Sequence, residues 1–357
     1  MRSLFTPAWW LPGPHLPTIW GKLVRRPAAL QLHTERWDTP DSDFVDIVRL
    51  PARSSTAPRV LLLHGLEGGL GSHYVHGMFA AAAERQWGLD LLLFRGCGSE
   101  PNRAARFYHS GETSDVAFVL ERLADEAPDA PRFAAGVSLG GNVLLKYLGE
   151  LGDRAAPPLA AAAAVSVPYD LARGSRHISK GFSRVYERRF LESLKRKAGA
   201  KLQRYPNLFS ESSLASAQTL WDFDDAVTAP VHGFESAADY YERSSSLRYL
   251  HLISRPTLLL SAVDDPFLPP SVLSEVRAIA RGNPALELEF PKRGGHVGFV
   301  GGAVPWRAEY YAERRVMNFL ADRLAGGSNE GVGGAVVAGS SIDMSPVSVM
   351  ESPHGAS

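Results

Sequence analysis

The pentapeptide Gly136-Val137-Ser138-Leu139-Gly140 constrains this chain more than any other feature, because it joins an apolar run at 133–136 to a stretch with helical apolar spacing from Asn142 to Leu148. A strand that turns at once into a helix holds the residue between them in a strained backbone conformation. Gly136 and Gly140 are required there because side chains would meet the neighbouring strand and helix. Ser138 then sits at the edge of a sheet and at the start of a helix, where developing negative charge is favoured. Such an elbow needs a parallel sheet carrying helices. Apolar runs bounded by turn residues at 45–50, 59–63, 89–94, 133–136, 159–167, 257–262 and 286–290 predict its strands. Helical segments lie between them. The clearest follows His109, where SGETSD offers Ser and Thr caps and early acids before Val116, Val119, Leu120 and Leu123 repeat at helical spacing. Strands alternating with such helices predict a mostly parallel sheet buried on both faces.

The alternation breaks after Val167, and the next confident strand starts at Thr257, so an inserted subdomain is expected, a helical cap over about 168–245. Its first part, 173–204, carries eleven Lys or Arg against Glu187 and Glu192, with Phe182, Tyr186, Phe190 and Leu194 four apart. That pattern predicts an amphipathic basic helix, read first as a solvated cap helix and second as a surface for anionic lipid or an acidic substrate. The first forty residues are expected to form an aromatic arm packed on the core, the main domain to span 41–325, and 326–357, rich in Gly, Ser, Val and Ala without periodicity, to be disordered. In the arm, Trp9, Trp10 and Trp20 fit packing on the core or, as the second reading, contact with lipid headgroups.

Composition narrows the function. Lys+Arg and Asp+Glu balance at 38 each, which leaves no electrostatic footprint for nucleic acid. The single cysteine, Cys97, cannot form an internal disulfide or supply a thiolate cluster, and this fits a reducing compartment. No apolar run is long enough to span a membrane, and prolines at 7, 12, 14 and 17 interrupt any leader-like helix. A soluble, cytoplasmic protein is expected.

A serine hydroxyl is a weak nucleophile at neutral pH and needs a base and an orienting acid. Folds with this elbow place them later in the chain, acid before histidine. Asp264 and Asp265 follow the strand at 257–262, and Gly294-Gly295-His296 follows the strand at 286–290. Both loops then open beside Ser138. Adjacent carboxylates point different ways, so only one faces the imidazole; Asp265 is favoured because D-P-x-x-P is the usual setting of the acid. The backbone N–H of Leu139 is one expected donor to an oxyanion, and that of Leu66, in His64-Gly65-Leu66-Glu67-Gly68-Gly69, is the other. His64 is read as a brace for this loop. His64, His73 and His76 are not expected to bind metal, since no cysteine and only Glu67 accompany them. No cofactor is expected.

Several segments together resemble the YheT-type α/β-hydrolases, also called AB hydrolase family 4. They are PAWWLPGPHLPTIWG, LLLHGLEGG, FRGCGSEPNR with YHSGETSD, GVSLGGNVLLKYLGE, FDDAVTAPVHGFESAADYYERSS, PTLLLSAVDDPFLPP and GGHVGF, and the resemblance runs from about Pro7 to Leu324. It implies an α/β-hydrolase fold with an inserted helical cap, and a charge relay on Ser138, Asp265 and His296. The loop after Cys97 reads GCGSEPNR where GCSGEPNR is usual. Eukaryotic relatives often carry an N-terminal hydrophobic helix that this sequence lacks, so their location is not carried over. Phe223, Asp224, Asp225, Thr228 and His232 are read as a polar hinge between cap and core, Arg95 with Glu112 as a paired charge, and Cys97 as a buried apolar residue. The activity expected is hydrolysis of carboxylic esters, short-chain or acylglycerol-type, through an acyl-enzyme. Acyl transfer to an alcohol is the alternative, and a non-catalytic lipid-binding module is the reading from another class. The expected partner is a small ester or lipid, with peripheral membrane contact through cap or arm as the lipid-facing reading.

Overall fold

The computed structural model describes residues 5–154 and 159–327. Its centre is an eight-stranded sheet. The chain enters through α1 (His15–Val24), β1 (His33–Asp38) and β2 (Phe44–Leu50), then alternates β3 (Arg59–Leu63), α2 (His73–Glu84), β4 (Gly88–Leu93), α3 (Ser114–Glu126), β5 (Arg132–Val137), α4 (Leu139–Leu151) and β6 (Ala161–Val165). After an excursion it resumes with β7 (Thr257–Leu260), α11 (Pro270–Ala280), β8 (Leu286–Glu289) and the closing helix α12 (Tyr311–Gly327). The strand order is β1-β2-β4-β3-β5-β6-β7-β8; β1 and β2 run antiparallel, and all pairs from β4 to β8 are parallel.

Period-two alternation sorts the strand residues onto two cores. Leu61, Leu63, Ala134, Ala162, Ala164 and Leu259 face α3, α4 and α11. Val60, Leu62, Phe133, Ala135, Ala163, Leu258 and Leu260 face α2 and α12. With both faces covered, the strands read as continuous apolar runs, which is why they were legible as such. The mostly parallel sheet with helices on both faces is as expected. Because the strands from β4 onward run one way, the loops after β3, β5, β7 and β8 open at one edge.

β1 escapes the sequence reading, which assigns it to the arm. In HTERWD only Trp37 is buried, so an exposed edge strand carries no apolar run. It pairs along its whole length with β2, and ion pairs flank that ladder, Arg36 with Asp46 at 2.8 Å and Glu35 with Arg49 at 2.8 Å. In the rest of the arm, Trp10 stacks edge-on against Trp20 at 4.7 Å, whereas Trp9 is 78% exposed. The tail expected over 326–357 lies outside the described residues from 328 onward.

Between β6 and β7 the chain forms α5 (Leu171–Ile178), α6 (Arg184–Arg204), α7 (Glu211–Ser216), α8 (Leu220–Phe223), a π-helical turn at Asp224–Thr228, α9 (Ala229–His232) and α10 (Ala237–Ser244). The segment 173–204 is therefore two helices and not one. Gly181 breaks it with φ +53°, a conformation that side-chain-bearing residues rarely adopt. The face that α6 buries carries Glu187, Leu191, Ala198 and Lys201, while Phe182 stays exposed. Two local expectations also shift. The start of α3 is capped by Glu112, whose carboxylate accepts from the Ser114 N–H at 2.8 Å, and not by the Ser or Thr side chains. Arg95 pairs with Asp41, Asp43 and Asp115, each within 2.8 Å, and leaves Glu112 to Arg106 at 3.0 Å.

Candidate active site

Ser138 sits between β5 and α4 at φ +53°, ψ −120°. A Cβ on Gly136 would stand 2.5 Å from the Gly140 carbonyl oxygen, and one on Gly140 would stand 2.5 Å from the Leu63 carbonyl oxygen. Each glycine of the elbow is thus required by a specific backbone neighbour. The Ser138 N–H donates to Val165 O on β6 at 2.8 Å, so the strained residue is tied to the sheet. Backbone strain of this kind costs about 1–3 kcal/mol and persists only where packing over-determines it.

His296 reaches Ser138 from the loop after β8. Its Nε2 lies 3.1 Å from Ser138 Oγ, and its Nδ1 lies 2.9 Å from Asp265 Oδ2 and 3.1 Å from Oδ1. A proton on Nδ1 donated to Asp265 leaves Nε2 free to accept from the serine hydroxyl. Asp265 is itself buried, and its Oδ1 also accepts from the Phe267 N–H at 2.8 Å. Asp264 points elsewhere: its Oδ1 accepts the Gly295 N–H at 2.9 Å, and burial pushes its carboxyl above the ordinary range.

The loop after β3 supplies the opposite wall. His64 is fully buried; its Nε2 accepts from the Phe94 N–H at 3.2 Å, which leaves the proton on Nδ1 for Gly65 O at 2.8 Å. Burial lowers its pKa to about 4, so it braces the loop as a neutral ring. The Gly65 N–H donates to Tyr74 OH at 2.8 Å and the Glu67 N–H to Tyr108 OH at 2.9 Å. Leu66, between them, lines the cavity, and a Cβ on Gly65 would lie 3.2 Å from Ser138 Cβ. Lys197 of α6 donates to Glu67 Oε1 at 2.8 Å, so the inserted helices hold this loop from above.

These groups face one cavity of about 440 Å³ between the sheet edge and the inserted helices, with Leu66, Ser138, Leu139, Asp265 and His296 all in its wall. Most of the remaining wall is apolar, including Val167, Leu171, Ile178, Phe190 and Leu194. A polar corner is made by Asp224, which accepts from Thr228 Oγ1 and Tyr241 OH at 2.6 Å each; burial pushes its carboxyl up to about 6. His232 instead packs its ring, tilted by 56°, against His109 at 4.4 Å, and Asp225 accepts the Ala237 N–H at 2.8 Å. Burial pushes the Cys97 thiol up to about 11, which suits a packed side chain and not a nucleophile. Among the described residues no three His, Cys, Asp or Glu side chains converge as a metal cage.

Sequence reasoning did not single out Thr18. Its Oγ1 accepts from the His296 N–H at 2.9 Å while its own proton goes to Pro14 O at 2.6 Å. A Cβ on Gly295 would stand 2.4 Å from Pro14 O, and one on Gly298 would stand 2.5 Å from Pro17 O. The arm therefore clamps the histidine loop, and the only sequence signal was its place in PHLPTIWG. Thr18→Val leaves the His296 amide without its acceptor, at a cost of about 1–2 kcal/mol. The expected result is a kcat lowered about 5- to 30-fold with KM nearly unchanged, and recovery in Thr18→Ser; equal kcat in all three proteins would show that the contact does not position the ring.

Comparison with known proteins agrees with this architecture. The family model for the alpha/beta hydrolase fold matches residues 58–303. A presumed esterase, YheT of Escherichia coli (strain K12), is 40% identical over 314 residues, covering 87% of this chain and 91% of that protein. Phospholipase ABHD3 of Bos taurus is 31% identical, covering 75% of this chain and 64% of its own length. Among solved structures, the Pyrococcus furiosus esterase Pf2001 superposes with a TM-score of 0.56 at 16% identity, covering 83% of this chain and 92% of that one, a likeness of fold.

Proposed function

The chain belongs to the α/β-hydrolase family, within which it is of the YheT type, and from that premise we propose that it hydrolyses carboxylic esters through an acyl-enzyme on Ser138. The observation that carries this reading is the continuous hydrogen-bonded line from Asp265 through His296 to Ser138, set at a strained elbow in the wall of a mostly apolar cavity. The esterase and phospholipase names of its relatives support the same reaction class.

In this mechanism His296 Nε2 takes the hydroxyl proton as Ser138 Oγ attacks the ester carbonyl, and Asp265 stabilises the imidazolium that results. The negative charge that develops on the carbonyl oxygen is met by the N–H groups of Leu66 and Leu139, the second at the positive end of α4. Each such donor contributes on the order of 3 kcal/mol in the transition state. His296 then returns the proton to the leaving alkoxide. In the second half, water loses a proton to His296 as it attacks the acyl carbonyl; the intermediate then breaks its bond to Oγ, His296 returns the proton to Ser138, and the carboxylic acid leaves.

The apolar wall favours an acyl chain as the group held during both steps. Burying each methylene contributes about 0.8 kcal/mol, so two more carbons raise kcat/KM about tenfold while the cavity has room. A series of p-nitrophenyl esters is expected to show that rise from acetate to butyrate. A flat or falling series, or a preference for polar, non-acyl esters, would count against acyl recognition.

A further inference from the structure

The N-terminal helix does more than clamp the histidine loop. At about 100° per residue, Leu16 and Leu23 point almost the same way, roughly opposite Thr18 and Gly21. The latter two face the His296 loop and His73 of α2. His15 and Trp20 flank Leu16 on its two sides. On one side α6 lies alongside: the His15 ring is 4.6 Å from Phe182, Tyr186 OH is 3.4 Å from His15 Nδ1, and Lys22 loses basicity to desolvation and to repulsion from Arg189. On the other side Trp20 holds Trp10, and Trp9 donates from Nε1 to Ala303 O at 2.9 Å, three residues before Trp306. The exposed ends of three elements thus adjoin: Phe182 and Val185, then Leu16 and Leu23, then Trp9 and Trp306.

Six of the eight large apolar side chains exposed among the described residues fall in this one band, with Trp9 78% and Trp306 80% accessible. Scattered singly they would need no account; gathered, they mark an interaction surface. The rim is basic. Lys22, Arg184, Arg188 and Arg189 are exposed beside the band, with Glu192, paired to Arg188 at 3.3 Å, as the acid among them. Tryptophan at the headgroup level, aliphatic side chains below it and cations at the rim are the chemistry of an anionic bilayer surface. The band also adjoins the site: Tyr186 lies 5.0 Å from Phe267, whose ring lies 4.1 Å from that of His296.

We propose that the face formed by α1, the start of α6 and the loop carrying Trp306 docks this protein on anionic lipid surfaces. Docking is read as binding, so it stands or falls apart from the ester reading. Full-length protein is mixed with sucrose-loaded vesicles of phosphatidylcholine alone or of phosphatidylcholine and phosphatidylglycerol at 7:3, then sedimented. The expected result is about tenfold tighter partitioning onto the anionic vesicles, with a blue shift of tryptophan emission. Trp9→Ser combined with Leu23→Ser and Phe182→Ser is expected to weaken binding about tenfold or more while butyrate ester hydrolysis stays unchanged. Arg188→Glu with Arg189→Glu, which alters exposed side chains alone, is expected to abolish the preference for anionic vesicles and serves where the apolar variant fails to fold. No sedimentation of the wild type, equal binding by both variants, or a vesicle-free dimer that the apolar variant dissolves overturns the proposal.

Discussion

Ser138→Ala is expected to lower kcat for p-nitrophenyl butyrate by about 10⁴-fold or more, leaving only what the oxyanion donors and substrate binding supply. The effect is chemical and not structural. Alanine keeps the Cβ, so the φ of +53° costs the variant what it costs the wild type. The serine hydroxyl makes its one described contact with His296, at 3.1 Å, and its loss leaves no buried donor stranded elsewhere. The melting temperature is therefore expected to stay within a few degrees, and a circular-dichroism melt beside the rate measurement separates the two outcomes. Retained hydrolysis in a folded variant would remove Ser138 from the mechanism.

The second large effect distinguishes the two adjacent acids. Asp265→Asn is expected to cost about 10⁴ in kcat, because an amide opposite Nδ1 favours the tautomer in which Nε2 carries the proton and cannot accept one from Ser138. Asp264→Asn changes a carboxylate that holds the Gly295 amide at 2.9 Å and makes no contact with the imidazole. Its cost is that of weakened hydrogen bonds to the Gly294 and Gly295 backbone, about 1–2 kcal/mol, or about 5- to 30-fold in rate. Steady-state kinetics of the two variants side by side decides the assignment, and the reverse order would give the role to Asp264.

Much of the fold was legible because two physical demands are written locally. Strands buried on both faces must be apolar throughout, so β3 through β7 stand out, and the elbow needs glycine where β5, α4 and the end of β3 nearly touch. The loop bearing Asp265 could be found because it follows such a strand, and the loop bearing His296 because it is glycine-rich and follows the shorter, half-buried β8. What was missed is carried by long-range contacts. β1 is an edge strand whose mostly exposed residues give no apolar run, and it pairs with β2 through the backbone beside ion pairs at Arg36, Asp46 and Arg49. Arg95 finds its acids at Asp41, Asp43 and Asp115, none of them signalled by spacing. Thr18 meets His296 across 278 residues, and Lys197 meets Glu67 across 130. Periodicity cannot report either contact. The break at Gly181 was masked because basic residues run on both sides of it, and the apolar positions repeating every four residues begin only at Phe182, just after the turn.

The central claim is that Ser138 is a nucleophile activated by His296, and covalent labelling tests it most directly. Full-length protein is treated with a fluorophosphonate probe at neutral pH, followed by intact-mass measurement and peptide mapping. One adduct per chain on the peptide containing Ser138 is the expected result, absent from Ser138→Ala and strongly slowed in His296→Ala. Absence of label on the folded wild type, or an adduct on another residue that persists in Ser138→Ala, would contradict it.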